Sequence, residues 1–336
     1  MADRPFERWL YPTDDGLYCA PGDFHIDPYR PVARAVITHG HSDHARAGHN
    51  SVLATAETIA VMQTRLGLTC AGNLQKAPLG QEIRIGDVGV ALHPAGHILG
   101  SAQVKLTHRG QTAVVSGDYK RRLDPTCTPF EVIPCDLFVT EATFGLPVFR
   151  HEPDAGEIAK LLASQRAFPE RTHVVGVYGL GKCQRLIALL RSAGYDRTIW
   201  LHGALTSICD LYAALGVGLG ALAHASVAQQ SLAGEIVMCP PAALRDRWSR
   251  RLAEPVTCFA SGWMRVRGRA RQRGVELPLI ISDHADWPEL IQTIKDTGAQ
   301  EVWVTHGREE ALVHQLGLMG LNGRALALVG REDEAE

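Results

Sequence analysis

The chain has 336 residues, 46% of them hydrophobic and 21% charged, with a net charge of −2. That length allows a large core or two domains, and the charge excludes a molecule that grips polyanions over its whole surface; such a grip needs a local patch. No apolar run of about 18 residues occurs, so no membrane span is expected, and the start Met1–Arg8 has no apolar stretch of a secretory leader.

These features predict a cytoplasmic protein. Its eight cysteines form no CxxC pair, which argues against a thiolate metal site and for reduced thiols. In chain order, short strands are expected at 33–38, 88–92, 102–106, 112–116 and 137–140, punctuated by Gly and Pro. A helix is expected over 56–66. After Pro153 the texture changes to helix 155–165, strand 173–177, helix 182–192 and helix 206–215. That alternation predicts a small α/β unit with a parallel sheet. Strands return at 277–282 and 301–305. The middle therefore reads as an insertion: residues 1–148 and 256–336 form one domain, and residues 149–255 the inserted one. The acidic tail, residues 331–336, reads as a frayed end.

The densest chemistry is His39-Gly40-His41-Ser42-Asp43-His44, directly after the first strand. Alternation along an extended chain would set His39, His41 and Asp43 on one side, with a turn at Ser42-Asp43 returning His44. Imidazole and carboxylate suit zinc and similar metals. Four such groups in one loop exceed what one catalytic ion takes, so two metals are expected. Other apolar runs end in Asp118, Glu141, Asp283-His284 and His306, and His97 sits in a turn between strands. Strand ends are rigid places from which to aim ligands. One such residue is ordinarily a turn former; six beside this hexapeptide argue for a shared site.

These segments resemble successive motifs of the metallo-β-lactamase superfamily: HGHSDH at 39–44, Ala95-Gly96-His97 and Ser116-Gly117-Asp118. Glu141-Ala142-Thr143-Phe144-Gly145, Ser282-Asp283-His284 and Thr305-His306-Gly307 resemble further motifs of its β-CASP nuclease branch. The full pattern is most similar to the bacterial DNA exonucleases associated with ATP-dependent DNA ligases. The resemblance implies an α/β fold, an αββα sandwich with an inserted β-CASP domain. It implies two divalent ions, zinc or manganese. His39, His41 and His97 would hold the first, and Asp43, His44 and His306 the second, with Asp118 between them. Asp43 also belongs to the implied catalytic set. His284 would protonate the leaving oxygen and Glu141 orient it; a carboxylate partner favours the protonated imidazole. An early aspartate, Asp23 or Asp27, would support the ligand loop. His306 is shared with RNA-processing members.

Substrate contacts are expected in two places. Tyr178-Gly179-Leu180-Gly181-Lys182-Cys183-Gln184 joins a strand to a helix, where glycines, a helix N-terminus and Lys182 suit a phosphate. It lacks Walker A spacing. Residues 241–275 hold nine arginines and two acidic residues. An extended chain would place Arg265, Arg267, Arg269, Arg271 and Arg273 on one face. Guanidinium suits phosphate, and Trp248 and Trp263 could stack on unpaired bases. The expected function is a two-metal DNA exonuclease in repair, acting on single-stranded or end-containing DNA, with functional association with a DNA ligase. The alternatives are an RNA-processing ribonuclease, a small-molecule metallo-hydrolase, and a non-catalytic nucleic-acid scaffold.

Overall fold

The computed structural model describes residues 5–228, 231–326 and 328. The acidic tail lies outside the described residues. The chain divides into two compact units. One runs from the N-terminus to Arg150 and resumes at His284; the other is His151–Asp283.

The first unit contains two sheets. In one, Leu10–Thr13, Gly16–Cys19 and Phe24–Ile26 are antiparallel neighbours. Arg34–Val36, His49–Ala54 and Ala71–Lys76 then continue in parallel. In the other, Glu82–Ile85, Val88–Pro94, Ala102–His108 and Gln111–Val115 form an antiparallel run. Leu137–Ala142, Glu301–Gly307 and Asn322–Ala325 extend it in parallel. Alternate residues from both sheets, among them Leu17, Phe24, Val36, Val90, Val104, Val139 and Trp303, share one buried cluster, so the sheets pack face to face. Helix Ala56–Leu66 covers the first sheet through Ile59 and Met62. Helices Trp287–Thr297 and Glu309–Leu318 cover the second through Leu290, Ile294, Leu312 and Leu316. The unit thus has four layers: helix, sheet, sheet and helices.

Local sequence sets the ends of these elements. Helix 287–297 opens with Asp286, whose side chain accepts from the Glu289 N–H at 3.1 Å while Glu289 accepts from the Asp286 N–H at 3.1 Å. With Pro288 in the first turn and Gly298 in a left-handed conformation after the last, the helix is closed at both ends. Two glycines allow close approaches beside the site. A Cβ on Gly307 (φ +103°) would stand 2.2 Å from the Ala142 carbonyl oxygen, and one on Gly117 (φ +56°) 2.8 Å from the Thr38 side chain.

The second unit is a six-stranded, wholly parallel sheet. Its order is Leu222–His224, Ile199–Leu201, Ile236–Cys239, His173–Gly176, Val256–Ala260, Leu277–Leu279. Helices Asp154–Ala167, Lys182–Ser192 and Gly203–Ala214 belong to the same unit. Central strands such as Ile236–Cys239 are buried at every residue, as parallel strands covered on both faces require. The division differs from the expected 149–255 insertion. Val256–Ala260 and Leu277–Leu279 pair within this sheet, so the chain leaves it only at Asp283. Polar residues at strand ends do not mark where a sheet begins; backbone pairing decides membership.

The arginine run also differs from expectation. It is not extended: Arg267–Gln272 is a helix. Alternate residues on a helix point about 200° apart, so the five arginines cannot share a face. Arg269 lies 4.0 Å over the Trp263 ring and Arg273 4.8 Å over Phe259. Trp263 is buried, and Trp248 packs into an apolar cluster and against His202, so neither is an open stacking platform. Arg265 and Arg267 remain exposed, as do Arg245, Arg247, Arg250, Arg251 and Arg271.

Candidate metal centre

The parallel strands Gln111–Val115, Leu137–Ala142 and Glu301–Gly307 end on the same edge of their sheet. Asp118 follows the first, and Glu141 and His306 sit near the ends of the other two. Register shifts between Thr140 and Ala142, so Glu141 sits at a bulge that re-aims its side chain. His306 takes a left-handed backbone (φ +63°), a conformation uncommon outside glycine.

The hexapeptide does not continue as a strand. The Ala45 N–H donates to the His41 carbonyl at 2.7 Å, closing a helical turn over 41–45. Asp43 therefore joins His44 rather than lining up with His39 and His41 as alternation predicted. Among the groups of donors that result are His39, His41, His97 and Asp118, then Asp43, His44 and His306, and beside them Asp118, Glu141 and His284. In the first, His39 Nε2 and His97 Nε2 each lie 3.1 Å from His41 Nδ1. Asp118 Oδ2 is 3.4 Å from His39 Nε2 and 3.7 Å from His97 Nε2. In the second, His44 Nε2 is 3.2 Å from Asp43 Oδ2, and His306 Nδ1 is 4.0 Å from the same oxygen. Asp118 Oδ2 is also 3.5 Å from His44 Nε2, so the carboxylate stands between the two groups.

These separations fit metal ligation. Ligand atoms around a tetrahedral ion with bonds of about 2.0–2.1 Å stand about 3.3 Å apart. Asp118 Oδ1 and His306 Nδ1 are buried with no hydrogen-bond partner, which is costly for polar atoms unless an ion takes their lone pairs. Burial, with the neighbouring His44, pushes the His39 imidazole down to about 4, so it stands neutral near pH 7, the form that ligates. His97 is lowered well below its ordinary value by burial and then by His284. Burial opposes ionisation of Asp118, but the imidazoles around it, His44 first, outweigh burial and hold its carboxyl well below the usual range.

Beside these donor groups, Glu141 Oε2 accepts from His284 Nδ1 at 2.9 Å. The same oxygen accepts from Thr143 Oγ1 at 2.5 Å, and Oε1 accepts from the Tyr119 N–H at 2.7 Å. The carboxylate is fixed at both oxygens, and the His284 ring is fixed through it at Nδ1. His284 lies 4.6 Å, centroid to centroid, from His97.

Asp27, not Asp23, supports the ligand loop. Asp27 is buried, with Oδ2 2.7 Å from His44 Nδ1 and 2.6 Å from Thr38 Oγ1, and Oδ1 2.7 Å from the Thr38 N–H. Asp23 is exposed and bonds Tyr18 and Arg34. Asp27→Asn is expected to weaken metal binding about 10- to 100-fold by releasing the His44 ring, as measured by chelator competition; unchanged affinity would reduce Asp27 to a turn former.

The other expected contacts have internal uses. Lys182 is buried, with Nζ 3.1 Å from Asp283 Oδ1. Gln184 accepts from the Gly181 N–H at 2.8 Å and donates to the Gly179 carbonyl at 3.0 Å, holding its own loop closed. Tyr178 is half-buried, 5.8 Å from Lys182 Nζ. Thr38, Tyr119 and Thr143, which sequence reading passed over, complete the hydrogen bonding; as ordinary residues between motifs they carry no spacing signal.

No family model matches the chain. It is 28% identical, over 98% of its length, to a protein of Opitutus terrae named probable DNA ligase, and spans 32% of that protein. It is 31% identical to the Aspergillus fumigatus endoribonuclease Ysh1 over 32% of this chain and 12% of Ysh1. It is 30% identical to the Thermus thermophilus ribonuclease TTHA0252 over 36% of this chain and 34% of the other. The resemblance to the β-CASP branch of the metallo-β-lactamase superfamily holds. The chain thus spans about a third, or less, of these relatives. A protein of unknown function from Enterococcus faecalis V583 shares the fold, with a TM-score of 0.53 and 14% identity over 89% of this chain and 80% of that one. Among the described residues, no helix is long and apolar enough to cross a membrane.

Proposed function

We propose that the chain is a two-metal phosphodiesterase that shortens DNA from an end, built as a metallo-β-lactamase sandwich carrying an inserted β-CASP unit. One observation carries this reading: Asp118 Oδ2 lies within 3.7 Å of ring nitrogens in two neighbouring donor groups, with the Glu141–His284 pair alongside. His39, His41, His97 and Asp118 would hold one ion, and Asp43, His44, His306 and Asp118 the other, with zinc or manganese suiting this donor set. When bound, such a pair activates water and stabilises charge on the phosphoryl oxygens. The chain's own part is to keep the ligating imidazoles neutral, to hold a proton on His284 Nε2 for the departing sugar oxygen, and to orient that ring through Glu141. The exposed arginines of the second unit suit a polyanion. The match across nearly the whole chain to a protein named probable DNA ligase supports DNA and a functional association with strand joining.

Similarity to two named ribonucleases supports a second reading, RNA cleavage. End-labelled single-stranded DNA and RNA of one sequence, incubated with protein and manganese or zinc, separate the two. Stepwise shortening of DNA, abolished by a chelator, is the expected result. Internal cuts confined to RNA would replace the first reading with the second.

A further inference from the structure

We infer that Lys120 is a positioning residue for the proton donor, its ammonium fixing the backbone of His284. The inference rests on the proposed role of His284. Lys120 lies two residues beyond Asp118 and is only 1% exposed. Its Nζ donates to the His284 carbonyl at 3.3 Å. Its own N–H donates to the Ala95 carbonyl at 3.0 Å, two residues before His97.

The flanking residues act on the same targets. The Tyr119 N–H holds Glu141, and the Tyr119 carbonyl accepts from the Ala285 N–H at 2.7 Å. Arg122 reaches Asp286 at 2.9 Å and Glu289 at 3.1 Å. One five-residue run, 118–122, therefore carries the shared metal ligand, steadies the orienting carboxylate and ties down the loop that bears the acid. Burying an ammonium carries a desolvation penalty that its hydrogen bonds must offset. A methionine would fill similar space without that cost. A charge retained here, against an acid-bearing backbone and out of reach of a polymer in solvent, fits orientation and not substrate binding.

The test compares Lys120→Met and His284→Ala on two substrates. One is end-labelled DNA, whose departing sugar oxygen needs a proton. The other is a nucleoside p-nitrophenyl phosphate, whose p-nitrophenolate leaves without one. Lys120→Met should lower kcat on DNA about tenfold or more, part of the 10²–10⁴ that a positioned acid supplies. KM, bound metal and turnover of the nitrophenyl ester should stay near those of the unaltered protein. Equal slowing on both substrates, or no slowing on DNA, would overturn the inference. If His284→Ala discriminates between the substrates and Lys120→Met does not, the acid assignment stands and the Lys120 inference falls. If His284→Ala does not discriminate, the acid assignment fails and takes Lys120 with it. Should Lys120→Met not fold, Lys120→Gln, which keeps a donor without the charge, enters the same comparison and is decided by the same outcomes.

Discussion

Replacing Asp118 by asparagine is expected to remove phosphodiester cleavage, with a fall of about a thousandfold or more, equivalent to about 4 kcal/mol of barrier. The change keeps shape and removes charge. Asp118 Oδ2 lies within 3.7 Å of ring nitrogens on His39, His97 and His44, so its loss is expected to affect both donor groups together. An amide oxygen is a weaker ligand for a divalent ion, and its NH2 turned inward would face ring nitrogens that ligate through their lone pairs. Metal analysis should show at least one ion lost per chain. The circular dichroism spectrum should be preserved, because the surrounding strands are held by backbone pairing and apolar burial. Near-normal cleavage by this variant would sink the shared-ligand assignment.

His284→Ala is expected to lower kcat on DNA by about 10²- to 10⁴-fold while leaving metal content and KM close to normal. Its ring is held by Glu141 at 2.9 Å and Thr143 Oγ1 at 3.4 Å and stands next to His97, so its loss should leave the His39, His41 and His97 rings in place. Glu141→Gln should give a smaller loss in the same direction. An amide can still meet Thr143 and the Tyr119 N–H but holds the imidazole less firmly in one orientation. A His284→Ala protein that lost metal along with activity would show the residue to be a ligand instead of an acid.

Much of the first unit was readable from sequence because its signals are local. Helix 56–66 begins after Thr55, whose hydroxyl accepts from the Thr58 N–H at 3.1 Å, and ends before a glycine. Strands 88–94 and 102–108 follow apolar runs bounded by turns. The clustering of the histidines and carboxylates was readable because histidine at such density has few other uses. What failed needed information that spacing does not hold. Asp23 and Asp27 flank the short strand Phe24–Ile26, and burial and bonding partners distinguish them. Alternate arginines fit a strand, but Arg, Ala and Gln are good helix formers, and over 267–272 that propensity prevails. Lys182 beside glycines looks like a phosphate ligand until Asp283, a hundred residues on, is found against it. Lys120 gave no signal, since a lysine followed by two arginines reads as solvated charge.

Strand Glu301–Gly307 lies between Leu137–Ala142 and Asn322–Ala325, in the interior of its sheet. It carries His306, while the ligands it joins begin at His39. During synthesis, every earlier ligand emerges from the ribosome long before this strand can be inserted. A nascent chain halted ahead of Glu301 would hold an incomplete donor set and an unpaired edge on Leu137–Ala142. The donor set would then be complete only once the sheet closes, so any chemistry that needs all of it would wait for this strand.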